Sequence, residues 1–293
     1  MHGTGPPLVT PFDADGDLDE TALRELVGWV EARGVDFLVP CGSNSEAELM
    51  TAAERARTIE VVADEASVPV LAGTGSPGKR ETLAATESAA AAGADAALVV
   101  TPFYYGHDQG TLETYYREVA DESPAPVYLY SVPVFTDASL EPETVGRLAS
   151  HSNVAGMKDS SGDVATFQRI RERTADADFE LMVGSGGVLG QALAAGGTGG
   201  VLALANIAPE ATTAIYEAHE AGDTERAREL TAACVDLNHA ITAEYGIPGL
   251  KYAMRQRGAP AGHARSPHRP VDEDARAALD DRLGEFEELR ADL

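Results

Sequence analysis

Asn153-Val154-Ala155-Gly156-Met157-Lys158-Asp159-Ser160-Ser161 is the stretch on which the fold turns. A short apolar run stops at two charged residues, passes through serines, and gives way to an amphipathic run at 164–174. That is a buried strand, a turn and a helix. The same unit recurs in both directions. Apolar runs stand at 7–11, 36–40, 69–72, 96–101, 127–130, 154–157, 180–183 and 200–205. Helical patterns rich in Ala, Glu and Arg follow at 19–33, 52–65, 80–92, 112–121, 141–150, 164–174 and 189–195. Several close on a turn signal, as at Arg33-Gly34 and Ala92-Gly93.

Strands that alternate with helices imply a parallel sheet, because a parallel connection needs a crossover long enough to hold a helix. Eight units within 293 residues, at near-equal spacing, favour a closed (β/α)8 TIM barrel over an open doubly wound sheet. Three further helical runs, at 210–221, 224–244 and 272–289, are expected to form the eighth barrel helix and a C-terminal extension. The segment 257–270 between them reads as a loop. The expected division is a catalytic barrel over 1–222 and a helical extension packed on it over 223–293.

The charge is lopsided. Forty-eight acidic residues face 22 basic ones, for a net charge of −26, and only Lys79, Lys158 and Lys251 are lysines. A field of that sign repels phosphates and anionic headgroups, so neither nucleic acid nor a membrane surface is an expected partner. Cys41 and Cys234 stand far apart and read as small core residues. Residues 1–6 lack a basic segment followed by an apolar run, and no stretch approaches ~20 apolar residues. A cytoplasmic, reduced location is expected.

In a barrel, chemistry sits at the carboxyl ends of the strands. The candidate ends supply Thr10-Pro11, Gly42-Ser43-Asn44-Ser45-Glu46, Gly73-Thr74-Gly75, Thr101-Pro102-Phe103-Tyr104-Tyr105, Tyr130-Ser131-Val132-Pro133, Lys158-Asp159-Ser160-Ser161, Gly184-Ser185-Gly186-Gly187 and Asn206. Histidine is absent from this set. Lys158 is its informative member: an amine among apolar neighbours is disfavoured as an ammonium and can attack a carbonyl. Strand alternation sends Asp159 to the opposite face. A strand-end lysine can also simply snorkel to solvent, but a chain this poor in lysine would use arginine for that. Lys79, beside Arg80 and Glu81, reads as solvated.

Three rival chemistries are weaker. Gly73-Thr74-Gly75-Ser76-Pro77-Gly78 fits a dinucleotide fingerprint, yet it belongs to the third unit and its expected acidic partner, Asp95, precedes a strand. A tight glycine turn is the better reading. The seven histidines show no metal-ligand spacing, and there is no GxSxG elbow.

The strings Leu8-Val9-Thr10-Pro11-Phe12, Gly42-Ser43-Asn44-Ser45-Glu46, Thr101-Pro102-Phe103-Tyr104, Tyr130-Ser131-Val132-Pro133, Gly156-Met157-Lys158-Asp159-Ser160 and 199–206 occur in the order of the dihydrodipicolinate synthase and N-acetylneuraminate lyase superfamily, which the chain resembles almost throughout. The resemblance implies that Lys158 forms an imine with pyruvate and that Tyr130 moves the proton as a carbon–carbon bond is made or broken. Ser43 and Asn44 would hold the pyruvate carboxylate, with Gly184 and Leu202 completing the substrate-binding set. Tyr104 would reach across an interface within a homotetramer built from tight dimers. No metal or other cofactor is implied.

Within that family the motifs look more like 4-hydroxy-2-oxoglutarate and 2-keto-3-deoxygluconate aldolases. Dihydrodipicolinate synthase is the alternative, and a non-catalytic keto-acid sensor a remote one. Phe135 stands where the synthase usually carries arginine, and Ser131 replaces an amide. Ser45 occupies a usual glycine, a change that matters if the backbone there needs positive φ. Asp137 adds negative charge near the substrate tail, which favours a sugar-acid substrate over a dicarboxylate.

The acid excess predicts a fold that gains from salt screening. The melting temperature should rise between dilute buffer and molar KCl; equal values in both would refute a surface built for high salt.

Overall fold

The computed structural model describes residues 1–290. Seven parallel strands, β1 (Gly3–Gly5), β2 (Leu71–Gly73), β3 (Ala96–Val100), β4 (Val127–Ser131), β5 (Val154–Asp159), β6 (Glu180–Val183) and β7 (Gly199–Val201), pair in the order β1-β7-β6-β5-β4-β3-β2. The two outer strands are not left bare. Residues 36–40 lie between them: the amides of Asp36 and Val39 donate to the carbonyls of Thr4 and Pro6 at 2.9 and 3.1 Å. On the other side Leu38 donates to the Pro69 carbonyl, and Leu71 and Gly73 donate to Leu38 and Pro40, all at 2.9 Å. This eighth, irregular strand closes the sheet into a (β/α)8 barrel and removes both edges.

Alternation along the strands separates two cores. Leu98, Tyr128, Tyr130, Met182 and Val201 pack together inside the barrel, with Phe37 and Val39 from the closing segment. Their neighbours Ala97, Val99, Leu129, Met157, Leu181 and Val183 belong to the larger core between sheet and helices. Cys41 and Cys234 are both free and buried, as expected.

The helices are α1 (Glu20–Glu31), α2 (Ala52–Glu65), α3 (Lys79–Ala91), α4 (Gln109–Glu122), α5 (Pro133–Thr136), α6 (Pro142–Leu148), α7 (Val164–Arg173), α8 (Leu189–Ala194), α9 (Leu204–Ile207), α10 (Pro209–Glu220), α11 (Thr224–His239), α12 (Gly246–Gln256) and α13 (Glu273–Arg290). Side-chain caps explain many of the starts. Asp19, Asp108 and Asp163 accept from the amides of Ala22, Thr111 and Ala165, and Thr51 and Glu54 form a reciprocal capping box. Among the described residues, no helix is long and apolar enough to cross a membrane.

Three expectations need correction, one of them the apolar run 200–205, which pairs only as Gly199–Val201 and turns helical at Leu204–Ile207. The first strand is Gly3–Gly5, not 7–11, because Pro6 and Pro7 have no N–H to give a ladder; regular pairing stops there, and Leu8 re-engages Val39 by one 3.0 Å bond. The expected helix 224–244 ends at His239 in a π turn, Ala240–Glu244, and α12 follows, which the sequence pattern did not predict. Gly246, Pro248 and Gly249 look like breakers, yet Pro248 falls in the first turn, where a missing N–H leaves no bond unmade.

Helix α12 is tied to the barrel by a buried charge. The Lys251 ammonium donates to the carbonyls of Thr10 and His263 at 2.6 and 2.7 Å and to the carboxylate of Glu46. Glu46 in turn accepts from the Arg265 amide at 2.8 Å. The Arg265 guanidinium reaches the Gly16 and Leu49 carbonyls and Glu54, and lies 4.1 Å from the centre of the Phe12 ring. Both Lys251 and Glu46 are buried, and burial pushes the lysine down to about 8 despite the Glu46 charge beside it.

Removing one member of such a pair strands the other in a dry interior. Lys251→Met and Glu46→Gln should each destabilise the protein by about 3–5 kcal/mol in urea unfolding. The double variant should lose much less than the sum of the two; strictly additive losses would mean that the pair does not couple the extension to the barrel.

Candidate active site

The register of the sheet assembles the site. Tyr130 on β4 pairs with Lys158 on β5, and Lys158 pairs with Met182 on β6, so all three point into the barrel. Lys158 is 3% exposed, with its Nζ 4.2 Å from the centre of the Tyr130 ring. Among the described residues no carboxylate pairs with it. Asp159 turns to the outer face, as alternation predicts, and accepts from the Ser161 amide and hydroxyl at 3.1 and 2.8 Å. Burial raises that carboxyl above its ordinary range.

The third member comes from the loop after the closing strand. The Tyr130 hydroxyl lies 3.2 Å from Ser43 Oγ, so the lysine nitrogen over the ring face, the phenol and the serine hydroxyl follow one another. Two left-handed residues, Cys41 at φ 59° and Glu46 at φ 58°, bracket the tight turn Ser43–Ser45. Ser45 is not one of them, so replacing glycine there imposes no positive-φ strain. It braces the turn instead: its hydroxyl accepts from the Gly42 amide at 3.0 Å and donates to the Leu8 carbonyl. Thr10 Oγ1 donates to the Ser45 carbonyl at 2.7 Å. The neighbouring Gly73 and Gly75 are packing glycines. A Cβ on Gly73 would stand 2.1 Å from the Cys41 carbonyl oxygen, and one on Gly75 would stand 2.5 Å from the Val100 nitrogen. The fingerprint-like string is thus used for close approach between rim segments.

A cavity of about 310 Å³ opens over this series. Ser43 and Tyr130 line it together with Phe103, Val132, Phe135 and Ile247 on its apolar wall. Its ionisable lining consists of Tyr130, Cys41, Glu46, Glu48 and His268; no lysine or arginine is part of it. Glu48 stands at the exposed mouth, and the protein packed against its carboxyl raises it above the usual range against the pull of Arg55. Among the described residues no group of three or more His, Cys, Asp and Glu side chains could hold a metal ion.

The predicted residues divide into three sets. Ser43, Tyr130 and Lys158 come together, with Lys158 behind the tyrosine ring, outside the cavity's lining. Asn44 is half-buried in the same turn. Gly184 and Leu202 lie off the cavity: a Cβ on Gly184 would strike Ser160 Oγ at 1.8 Å, and Leu202 is fully buried in the outer core. Tyr104 is 87% exposed at φ 78°, edge-on to Tyr105, and does not line the cavity within one chain. Asp137 is exposed and does not line it either.

The expectation that histidine is absent from the rim is corrected, since His268 arrives from the C-terminal segment. His268 and Ile247 carry no local signal, because only tertiary packing brings residues 247 and 268 over the barrel mouth. Phe103 and Phe135 were detectable as neighbours of the Thr101 and Tyr130 motifs.

Comparison with known proteins places this geometry. The profile of the dihydrodipicolinate synthetase family matches residues 1–285. An uncharacterized DapA-like lyase of Halobacterium salinarum is 40% identical over 288 residues, covering 98% of this chain and 94% of that protein. A 4-hydroxy-tetrahydrodipicolinate synthase of Methanothrix thermoacetophila is 38% identical over 293 residues, covering 100% and 99%. The crystal structure of YagE, a prophage protein of the dihydrodipicolinic acid synthase family from Escherichia coli K12 in complex with pyruvate, superposes with a TM-score of 0.93 at 31% identity, over 98% of this chain and 99% of that one. With the barrel, its C-terminal helices and matches of this extent, the chain belongs to the dihydrodipicolinate synthetase family and is an enzyme of the lyase kind.

Proposed function

We propose that the protein is a Schiff-base aldolase that reversibly cleaves a 2-keto-3-deoxy sugar acid or a 4-hydroxy-2-oxo acid to pyruvate and an aldehyde. The observation that carries this reading is the series from Lys158 through Tyr130 to Ser43. The neutral Lys158 amine adds to the keto carbon of the substrate, and loss of water with uptake of one proton from solvent leaves a protonated imine. As the C3–C4 bond breaks, the Tyr130 oxygen accepts the proton of the C4 hydroxyl and releases its own toward Ser43. The electron pair of that bond passes into the imine, giving an enamine and the free aldehyde. Protonation of the enamine at C3 and hydrolysis then release pyruvate and the amine. Ser43, within hydrogen-bonding distance of Tyr130, passes the proton on, and with Asn44 it holds the keto-acid carboxylate. The imine nitrogen is the electron sink, so this route needs no metal or nucleotide.

The cavity lining supports a neutral aldehyde. Phe135 contributes an apolar ring where a cation would grip a carboxylate, and the only formal charges beside it are acidic or histidine. This favours the sugar-acid cleavage. The second reading, synthesis of 4-hydroxy-tetrahydrodipicolinate from pyruvate and aspartate semialdehyde, is favoured by the names of several relatives. Tyr104, Tyr105, Val134 and Phe135, in the loops after β3 and β4, are exposed apolar side chains, and Phe135 lines the cavity. In our reading a second copy covers them, within a homotetramer, and Tyr104 joins the relay of its neighbour.

Incubation with pyruvate followed by borohydride reduction should leave a stable adduct on the peptide that carries Lys158. Lys158→Ala should lose the adduct and turnover together. Tyr130→Phe should keep the adduct yet lose about 10²–10⁴-fold in rate. Label on Lys251 alone, or none at all, would overturn the mechanism. Faster condensation with aspartate semialdehyde than cleavage of 2-keto-3-deoxygluconate would select the second reading.

A further inference from the structure

A second, smaller cavity of about 60 Å³ lies beside the buried Lys251, between α12 and the segment that leads into α13. Arg255, His263 and Arg276 line it with Tyr252 and Lys251, and among the described residues no carboxylate does. In a chain of net charge −26 that arrangement is anomalous. Many arginines elsewhere meet acids: Arg57 grips Glu20 and Glu60, Arg265 meets Glu54, and Arg282 meets Glu285. Among the described residues neither Arg255 nor Arg276 has an ion-pair partner, although Asp272, Glu273 and Asp274 stand within four residues of Arg276.

Two acids of this region are engaged elsewhere. Asp280 accepts from the Tyr252 hydroxyl at 3.0 Å, and Asp272 caps α13 through the Ala275 amide at 2.9 Å. The three protons of Lys251 are likewise held by Thr10, Glu46 and His263. The guanidinium groups remain only partly used. Arg255 donates to the Gly262 carbonyl and Arg276 Nε to the Val271 carbonyl at 3.1 Å, leaving several N–H donors apiece. The two charges also repel: Arg276 and partial burial both hold Arg255 below its ordinary value. A bound anion would relieve that repulsion.

We propose that this cavity binds a small oxyanion, such as inorganic phosphate or sulfate, held by charge-assisted bonds from Arg255 and Arg276 and faced by His263. The space accommodates a few waters or one tetrahedral anion, and arginine forks suit oxygens of that geometry. The site is separate from the keto-acid cavity, with which it shares none of its lining residues. Its floor is the lysine that fixes the Glu46 turn, so occupancy stiffens the attachment of α12 to that turn.

Phosphate titrated into the protein at constant ionic strength, balanced with KCl, tests this by calorimetry and thermal shift. The expected result is saturable one-site binding with a rise in melting temperature. Arg276→Gln and Arg255→Gln should each weaken it about tenfold or more, whereas Lys158→Ala and Arg228→Gln should leave it unchanged. Sulfate should compete and matched chloride should not. Absence of saturation, wild-type affinity in Arg276→Gln or Arg255→Gln, or loss of binding in Lys158→Ala would each overturn the site. Because both arginines are exposed, the variants should keep the wild-type melting temperature in phosphate-free buffer.

Discussion

One buried ammonium holds the architecture together. Lys251 gathers acceptors from three separate segments: Thr10 after the first strand, Glu46 in the turn beside Ser43, and His263 in the segment before α13. An interior ammonium is unfavourable unless each of its donors is met, and here all three are. The planar fork of arginine could not reach three acceptors grouped tightly around one atom. The same contact holds Glu46 in a left-handed conformation that an ordinary side chain adopts only under constraint. That conformation closes the turn that presents Ser43 to Tyr130. A helix far along the chain thereby fixes a hydroxyl beside the reacting lysine of our proposed mechanism.

Much of the fold was legible because parallel strands buried on both faces are written as continuous apolar runs, and the run at 154–157 with its helix at 164–174 is an instance. The errors arose where backbone chemistry departs from side-chain pattern. Residues 7–11 are apolar enough for a strand, but two prolines remove the donors that a ladder needs. Residues 246–256 contain two glycines and a proline, yet burial of Leu250, Lys251, Ala253 and Met254 against the barrel outweighs those propensities. The rim lysine and tyrosine were visible because each ends a strand. Glu46 was visible only as a letter in a motif, since its role depends on a partner 205 residues away. His268 and Ile247 were invisible for the same reason.

Scarcity of lysine takes on a physical meaning once each has a place. Lys79 lies on the surface, where Glu118 and Glu122 at 2.8 and 3.2 Å raise it above its ordinary value. Arginine would serve as well there. The other two are buried, at 3% and 0% exposure. Composition pointed to an unusual residue type, and the barrel shows that two of its three members are buried.

Those two buried amines also differ in a way that bears on reactivity. Lys251 has every proton engaged by an oxygen, so its nitrogen is committed to structure and offers no free electron pair. Among the described residues Lys158 Nζ meets the face of the Tyr130 ring and no hydrogen-bond acceptor, and the nearest acid in sequence, Asp159, has turned to the outside to accept from Ser161. Strand alternation accomplishes that separation without any special loop: one residue further along β5 is one face further from the amine. A carboxylate on the inner face would have paired with Lys158 as Glu46 pairs with Lys251. The period-two geometry of an ordinary strand thus decides which lysine serves as a tie and which stays uncommitted to any acceptor, and on the proposed reading that uncommitted amine is the nucleophile.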